Sequence, residues 1–394
     1  MKIEELELLS SKISNINLLN SIVETFDNVP YEVRTRLLEE LKNCDYNENA
    51  CMIAKNSNVL NSRTIEEQIR LMEELKNRDK YACSIAIDDN VLNSRTIEEQ
   101  IKLMEELKKC YYNWHAYNIA TNSNVLKNKT IEEQIKLMEE LKKYDYNENA
   151  CYIATNSNVL KNRTIEEQIK LMEELKKCYY NWYAYNIAKN RDVLENRAIE
   201  EQIRLIETLK NYDYNENAYA IAIDGNVLDS RTIEEQIKLM EELKNCDYNV
   251  NACYIATNSN VLKNRKIEEQ IKLMEELKKC YYNWHAYNIA INSDVLKNRT
   301  IEEQIRLIKT LKSYDYNENA YKIAINSDVL KNRTIEEQLN FIKKGKVSHN
   351  DNLQKIQNIK EYKKYLKNLK EELGKDADVR LDTMVLKFNP NKKL

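Results

Sequence analysis

The sequence predicts an all-α protein, an α-solenoid wound as a right-handed superhelix from about nine two-helix repeats with helical caps. The first observation is a Glu-Glu-Gln tripeptide that recurs after 32 residues once and then after 34 residues seven times. The second is a content of only 3 Gly and 2 Pro, too few for the turns of a β-rich protein. The tripeptides start at Glu66, Glu98, Glu132, Glu166, Glu200, Glu234, Glu268, Glu302 and Glu336.

The repeated text divides the chain into three predicted parts. Residues 1–30 are an N-terminal helical cap, residues 31–343 hold the tandem repeats, and residues 344–394 are a basic C-terminal helix and tail. Within the tail, apolar residues of 350–373 fall on one side of a single amphipathic helix, which we expect to cover the open end of the stack. Residues 147–180 are a typical repeat.

The first helix of this repeat, helix A, is predicted to start near Asn147 and to end near Ser157. An Asn side chain can accept a hydrogen bond from a free amide in the first helical turn, so Asn147 is a good N-cap. Ala150, Ile153 and Ala154 recur at helical spacing, and we expect them to face inward.

A non-helical corner, residues 158–163, is predicted to follow helix A, with Val159 and Leu160 filling the gap between the two helices. The second helix, helix B, is predicted to begin at Thr164. Thr164 and Glu167 form a capping box, in which the hydroxyl and the carboxylate each accept a hydrogen bond from the other residue's amide.

Helix B carries a wide apolar stripe, which suggests that it packs against other helices on both of its sides. Two repeats replace the capping Thr by Ala198 or Lys266, and we expect those helices to be less stable by about 1 kcal/mol. The stripe of the typical repeat consists of Ile165, Ile169, Leu171, Met172 and Leu175.

This repeat resembles the tetratricopeptide and pentatricopeptide superfamily of helix-turn-helix solenoids. The 34-residue period matches the tetratricopeptide repeat, and residues 165–176, IEEQIKLMEELK, are similar to the second helix of a pentatricopeptide motif. Two small residues mark tetratricopeptide repeats, a Gly in helix A and an Ala in helix B, and both are absent here; Ser157 and Ile169 stand nearby instead. The Gly that ends helix A of the pentatricopeptide motif is also absent. The resemblance implies a concave face lined by the first helices, which binds peptides in one family and single-stranded RNA in the other.

Charge and hydropathy narrow the classes of partner. Residues 343–394 carry 14 basic and 7 acidic residues, which leaves 47 basic and 57 acidic residues in 1–342. An acidic body does not attract phosphate over a long range. The chain begins with acids where a signal peptide needs a basic start, and no stretch reaches the roughly 20 apolar residues of a membrane span. We therefore expect a cytoplasmic protein with no membrane partner.

The sequence contains no signature of catalysis. Its 9 cysteines occupy two slots of the repeat that Tyr takes in most other copies, so they fill space, and no C-x-x-C motif suggests a metal. Phosphate-binding, dinucleotide-binding, zinc-protease and nucleophile-elbow motifs do not occur. We expect a protein that is not an enzyme and has no cofactor and no metal site, and no small-molecule substrate is evident.

Helix A varies between repeats at the spacing i, i+4, i+7, which lies on one helical face. Slots that vary among nearly identical repeats are free to meet a ligand, so this face is the predicted binding face. A Trp in the first slot is always followed by Asn in the second, and no Asn occurs there without Trp. The predicted ligand-binding residues are Trp114, Asn118, Thr121, Tyr152, Trp182, Asn186, Lys189, Tyr254, Trp284, Asn288 and Lys322.

The Trp–Asn pairs have two interpretations. A planar ring beside an amide suits a nucleobase, or a peptide backbone with an apolar side chain. Alternatively, the string Cys-Tyr-Tyr-Asn-Trp was duplicated as one cassette, and the pairing records that history.

One basic residue precedes helix B in every repeat. Such a ladder could follow a phosphate backbone, but each member lies close to the Glu-Glu pair of its own helix B, and ion pairing on a solvated edge is the favoured hypothesis. The members are Arg63, Arg95, Lys129, Arg163, Arg197, Arg231, Arg265, Arg299 and Arg333.

These patterns predict a non-catalytic binding scaffold that presents the variable helix A face to a protein or peptide partner. The acidic body favours a basic or neutral partner. One alternative is a modular protein that binds single-stranded RNA or DNA with one unit per repeat. Another is a structural spacer without a groove ligand.

Overall fold

A computed structural model of the chain describes residues 1–76 and 78–344. These residues form helices and connecting turns and contain no β-strand, which confirms the predicted all-α repeat fold. The chain divides into two compact units, Met1–Ser259 (unit 1) and Asn260–Leu394 (unit 2). The predicted helix at 350–373 and the basic tail lie outside the described residues, apart from the first residue of the tail.

Each of the nine repeats within the described residues contains three helices: helix A, a short helix and helix B. The A helices are Glu48–Ala54, Lys80–Ile87, Trp114–Thr121, Glu148–Thr155, Trp182–Lys189, Glu216–Ile223, Val250–Thr257, Trp284–Ile291 and Glu318–Ala324. The short helices are Ser57–Ser62, Asp89–Ser94, Ser123–Asn128, Ser157–Asn162, Arg191–Asn196, Gly225–Ser230, Ser259–Asn264, Ser293–Asn298 and Ser327–Asn332. The B helices are Ile65–Leu75, Ile97–Lys109, Ile131–Lys143, Ile165–Lys177, Ile199–Asn211, Ile233–Asn245, Ile267–Lys279, Ile301–Ser313 and Ile335–Lys344.

The short helix corrects the prediction of a two-helix repeat with a non-helical corner at 158–163. Helix A of the typical repeat ends at Thr155, and the next residue, Asn156, caps a new helix, Ser157–Asn162. The Asn156 Oδ1 atom accepts hydrogen bonds from the backbone amide of Asn158 at 3.0 Å and from that of the following residue at 3.1 Å. Side-chain capping by Asn therefore turns the chain and restarts the helix at the same point.

The predicted helix starts are confirmed. The Asn147 Oδ1 atom accepts from two amides at the start of helix A. At helix B, the Thr164 amide donates to Glu167 Oε2 at 2.8 Å and the Glu167 amide donates to Thr164 Oγ1 at 3.3 Å. Where Ala198 replaces Thr, only the carboxylate half of the box remains, with the Ala198 amide 2.9 Å from Glu201 Oε2.

Like helices of successive repeats stack on one another inside unit 1. From Glu48–Ala54 to Glu216–Ile223, each helix A contacts helix B of its own repeat and the following helix A, and the short helices and the B helices form rows of their own. Ile169, predicted to belong to the apolar stripe, is only half-buried, and Gln168 is fully buried beside it. The other predicted core positions are buried: Ala150, Ile153, Ala154, Val159, Leu160, Ile165, Leu171, Met172 and Leu175.

The turn after helix B explains how the chain manages with 3 Gly. Tyr179 and Tyr180 both have positive φ, at 50° and 53°. The Tyr180 amide donates to the carbonyl of Leu175 at 2.7 Å and the Tyr179 amide donates to that of Lys176 at 3.0 Å. Glycine usually takes the left-handed position that ends a helix in this way, but here each such turn uses Tyr-Tyr or Asp-Tyr.

The segment 1–30 holds two helices, Ile3–Lys12 and Ile16–Asp27. The second packs on the first A helix of unit 1, where the Thr25 hydroxyl donates to the carbonyl of Lys55 at 3.0 Å. A further helix, Tyr31–Asn43, packs against the first B helix and occupies the place of a preceding helix B.

Unit 2 repeats the same local arrangement. Helix Trp284–Ile291 contacts its own helix B, Ile301–Ser313, and the following helix A, Glu318–Ala324. The short helices Ser293–Asn298 and Ser327–Asn332 also contact each other. The repeat packing is therefore a property of each unit.

Candidate binding face of helix A

The three tryptophans are the first residues of their A helices, and all are exposed. The exposed fractions are 53% for Trp114, 62% for Trp182 and 63% for Trp284. A helical residue advances by about 100°, so the slots at i, i+4 and i+7 share one side, and the Ala at i+2 lies opposite. That Ala is fully buried in all three helices, which directs the tryptophans away from the core.

Each tryptophan belongs to a cluster of rings that extends into a neighbouring repeat or along its own helix. The centroid of the Trp114 ring lies 5.3 Å from that of Tyr117 in the same helix and 6.1 Å from that of Tyr81 in the preceding repeat. The centroid of the Trp182 ring lies 5.0 Å from that of Tyr183 in the same helix and 6.1 Å from that of Tyr219 in the following repeat. Tilted and edge-on contacts at these distances are favourable, and they hold the exposed rings in place.

Four of these rings, Tyr81, Tyr117, Tyr183 and Tyr219, were not among the predicted site residues. Tyr117 and Tyr219 occupy a position shared by Cys and Tyr that the sequence analysis interpreted as space-filling, and Tyr81 and Tyr183 occupy the second position of helix A, which the sequence analysis passed over. The available signal was the concentration of Tyr in the A helices of a chain with 26 Tyr and only 3 Phe. A Tyr hydroxyl can hydrogen-bond to water at a half-exposed position, whereas in a core it needs a partner within the protein.

The Asn of each Trp–Asn pair has no partner. Within residues 1–76 and 78–344, the side-chain amides of Asn118, Asn186 and Asn288 make no hydrogen bond. The Asn186 Nδ2 atom is buried, so it is also without the solvent that normally satisfies such a group. The amides of Asn118 and Asn288 are therefore able to donate to and accept from a ligand, whereas the buried Asn186 Nδ2 atom is not open to one.

Of the four repeats that begin helix A with Glu, two close the corresponding pair internally, and the other two have Met52 and Ala220 at the second position. The Tyr152 hydroxyl donates to Glu148 Oε1 at 2.7 Å, and Lys322 Nζ lies 3.3 Å from Glu318 Oε1. On the same face, the Trp–Asn repeats therefore leave a ring exposed, whereas these two Glu repeats hold the corresponding side chains in contact with each other.

The remaining predicted site residues have varied surroundings. The Thr121 hydroxyl donates to the backbone carbonyl of Tyr117 at 3.1 Å, four residues earlier in its own helix. Lys189 Nζ lies 4.3 Å from the centroid of the Tyr185 ring. Tyr254 is exposed.

Carboxylates lie among the rings of unit 1. The hydrogen bond to Glu148 raises the pKa of Tyr152, and burial, with a further contribution from Glu148, raises the pKa of Tyr185. Burial also raises the pKa of Tyr117, and the carboxylate of Asp88 adds to this effect. The phenol groups therefore stay neutral, while the nearby carboxylates supply negative charge.

In unit 2, the face contains a second group of rings. The Trp284 and Tyr287 centroids are 5.6 Å apart, and those of His285 and Tyr321 are 4.5 Å apart. His285 Nε2 lies 3.5 Å from Glu318 Oε2, and burial raises the pKa of Tyr321. These contacts join helix A of one repeat to helix A of the next within this unit.

Three further tyrosines precede the tryptophans and were missed from the sequence. Tyr111, Tyr179 and Tyr281 are 79%, 91% and 88% exposed, and each has positive φ. The equivalent residue is Asp in the other repeats that have this turn, and Asp tolerates that backbone better than Tyr does. Lys142 Nζ lies 4.9 Å from the centroid of the Tyr111 ring and Lys312 Nζ lies 5.7 Å from that of the Tyr281 ring, so cation–π contacts with the following repeat offset part of this backbone cost.

For most of its members, the basic ladder before helix B corrects both hypotheses drawn from the sequence; at its last member, the exposed Arg333, the expected ion pair forms, with Nη1 at 3.8 Å from Glu337 Oε1. Arg163 is only 8% exposed, so it neither meets phosphate nor pairs with Glu on a solvated edge. Its Nη2 atom donates to the carbonyl of Arg197 at 2.7 Å, its Nη1 atom to that of Leu194 at 3.2 Å, and its Nε atom to Gln202 Oε1 at 3.2 Å. The planar guanidinium group matches three acceptors of the next repeat.

The Glu-Glu-Gln tripeptide serves the same stacking. Gln202 Nε2 donates to the carbonyls of Ile187 and Ala188, both at 3.0 Å, at the C-terminal end of helix A, where the Ile187 carbonyl also accepts from the Asn190 amide at 3.3 Å. The first Glu of the tripeptide pairs with a cation on the preceding helix B, as in Lys136–Glu166 at 2.9 Å. The tripeptide therefore joins helix B to its own helix A and to the preceding repeat.

All nine cysteines are free and buried. Burial raises the pKa of the Cys151 thiol to about 12, so the thiol stays protonated and unreactive at neutral pH. Over the part of the chain that the structure describes, no group of His, Cys, Asp and Glu side chains is arranged to hold a metal ion.

The described helices include none with both the length and the apolar composition needed to cross a membrane. A comparison with known protein families and a search of curated proteins found no match to this sequence. The repeated packing of helices is thus established, while the likeness to tetratricopeptide and pentatricopeptide repeats remains a resemblance.

Proposed function

We propose that the protein is a non-catalytic scaffold that binds a protein or peptide on the helix A face. The observation that supports this most directly is the set of exposed tryptophans, each followed by an unpartnered Asn at i+4. Large exposed aromatic residues are typical anchors of protein interfaces, because they bury much apolar area on binding.

A nucleic-acid ligand is a weaker candidate because the cations that would follow its backbone are already occupied. Arg163, Arg197 and Arg265 are buried and donate to carbonyls of the next repeat. Binding of single strands requires stacking rings together with a positively charged groove. The helix A face supplies the rings, while residues 1–342 carry 47 basic and 57 acidic residues.

A spacer without a ligand is disfavoured by the same face. A spacer gains nothing from exposed indole rings or from Tyr179 at a backbone angle better suited to Asp or Gly. Membership of the tetratricopeptide or pentatricopeptide superfamily, and a cytoplasmic location in which the cysteines stay reduced, are further parts of this proposal.

The test compares two triple variants of the full chain in affinity capture followed by binding to each purified captured protein. The first carries Trp114→Ala, Trp182→Ala and Trp284→Ala. The matched control carries Glu105→Ala, Glu173→Ala and Glu275→Ala, which lie on exposed positions of B helices. We expect the tryptophan variant to lose at least about tenfold in affinity, and the control to keep the wild-type affinity.

The control should unfold at nearly the wild-type temperature, since its three side chains are exposed, and the tryptophan variant should stay folded at the assay temperature because it loses only ring contacts at the surface. A partner whose affinity is the same for both variants would contradict the proposal. Binding of single-stranded RNA that depends on the tryptophans and weakens steeply with salt would replace it by the nucleic-acid alternative.

A further inference from the structure

The helix A face of unit 1 alternates between aromatic and acidic anchors. The first residue of helix A is Trp114, Glu148, Trp182 and Glu216 in four successive repeats. All four side chains are exposed. The tryptophans therefore recur at every second repeat, with a carboxylate in the repeat between them.

Negative charge also lies beside the first ring cluster. An open groove with a volume of about 440 Å³ adjoins Tyr117 and is lined by Asp88 and Asp89 together with Asn58, Ser84, Ile87 and Asn90. Both carboxylates are engaged within the chain, Asp88 as a helix cap and Asp89 with Asn58. Two carboxylates side by side make this end of the face attractive to cations.

The chain's own lysines show that the face can accommodate an ammonium group. Lys189 Nζ lies 4.3 Å from the centroid of Tyr185, and Lys80 Nζ lies 5.3 Å from that of Tyr81. These are cation–π distances. Rings and carboxylates together form a surface that favours cations at several points.

The spacing of the anchors limits the shape of the occupant. The A helices of successive repeats pack directly on each other, and packed helices lie about 8–10 Å apart. Two repeats therefore separate Trp114 from Trp182 by roughly 16–20 Å, which an extended peptide covers in about five or six residues.

We propose that the partner binds unit 1 through an extended basic peptide segment, an inference that rests on the proposed function. Two apolar side chains of this segment, about six residues apart, contact Trp114 and Trp182. Lysine or arginine side chains between and beyond them meet Glu148 and Glu216. The side-chain amide of Asn118, which makes no hydrogen bond within the described residues, hydrogen-bonds the peptide backbone between these contacts.

The probes are three synthetic peptides of about 15 residues, each with two leucines about six residues apart. The other positions are mainly lysine in the first peptide, glutamate in the second and serine in the third. Affinities for the full chain are measured by fluorescence anisotropy at about 0.05 M and 0.3 M salt, because exposed charges are screened strongly over this range. We expect the lysine peptide to bind at least about tenfold more tightly than the glutamate peptide.

Two double variants separate a local effect from a net-charge effect. Glu148→Gln with Glu216→Gln removes two carboxylates from the helix A face, and Glu105→Gln with Glu173→Gln removes two from exposed positions of helix B. Both change the net charge equally. We expect only the first pair to weaken binding of the lysine peptide and to flatten its salt dependence.

Several results would overturn the inference. These are equal binding of the three peptides, equal effects of the two double variants, or binding of the lysine peptide that Trp114→Ala with Trp182→Ala leaves unchanged. A natural partner that needs the tryptophans but tolerates Glu148→Gln with Glu216→Gln would end this inference and leave the proposed function standing.

Discussion

In unit 1, one guanidinium group per repeat connects neighbouring repeats. One repeat has Lys129 in place of this arginine, and its contacts show what the guanidinium group contributes. At Lys129 the amine makes one such bond, from Nζ to the carbonyl of Arg163 at 3.2 Å. The Oε1 atom of Gln168, which an arginine would reach, is buried without a donor in the described residues. Gln168 Nε2 instead turns to the Arg163 carbonyl at 3.2 Å.

At the residue scale we therefore expect Lys129→Arg to stabilise the protein. The new guanidinium group would supply the donor that Gln168 Oε1 lacks, as Arg163 does for Gln202. The gain should be about 1 kcal/mol in the free energy of unfolding, measured with urea.

Lys127→Arg is the matched control, since Lys127 is exposed on the same short helix. It should change the free energy of unfolding by less than about 0.5 kcal/mol. Equal effects of the two substitutions would contradict the proposed role of the ladder.

At the scale of the helix, caps fix where each element begins. Asn156 ends helix A and starts the short helix, and the Thr164–Glu167 box starts helix B. The repeat at Ala198 keeps the carboxylate contact but has no oxygen to accept from the Glu201 amide. Its helix B should therefore be the less firmly capped.

We expect Ala198→Thr to restore the full box and to raise the free energy of unfolding by about 1 kcal/mol. Ala198→Val adds a side chain of the same shape without the hydroxyl and is the control. Urea unfolding distinguishes them. If the valine variant gains as much as the threonine variant, burial of the side chain would be responsible and capping would not.

At the scale of the whole molecule, stability in unit 1 comes from contacts between nearest-neighbour repeats. Each helix row contacts only its own repeat and adjacent copies. The acceptors of the arginine ladder lie 31 to 39 residues along the chain, one repeat away. The free energy of unfolding of such a stack is approximately a sum of one term for each repeat and one for each interface between neighbours. It depends on no single central core.

This organisation predicts that residues 147–180, one full repeat, can be deleted without loss of the fold. The junction would bring equivalent surfaces together, so the helicity per residue should be retained in circular dichroism. The urea m-value should fall in proportion to the surface removed.

Deletion of residues 147–163 is the out-of-phase control. It removes helix A and the short helix and leaves two B helices in succession with uncovered apolar stripes, so cooperative unfolding should be lost. If both deletions fold equally well, the repeat is not the structural unit. The full-repeat deletion also brings Trp114 and Trp182 into adjacent repeats, which should weaken binding of the lysine peptide described above.

The sequence alone determined the period, the all-α class, the caps and most buried slots. These features depend on residues within one or two helical turns, such as Asn147 before helix A or Thr164 and Glu167 before helix B. The variable face was also predictable, because the exposed slots at i, i+4 and i+7 follow from helical geometry. Whether that face binds a partner remains a prediction.

The tertiary structure alone decided the role of the arginine ladder and the ring clusters, while the third helix of the repeat starts at a local Asn cap that the sequence analysis missed. Arg163 looked like a surface cation because its acceptors, Leu194, Arg197 and Gln202, lie in another repeat, and no local pattern marks them. Likewise, Tyr183 and Tyr219 meet only when two A helices stack. Contacts between repeats depend on packing distances that sequence spacing does not encode, so tertiary structure had to settle them.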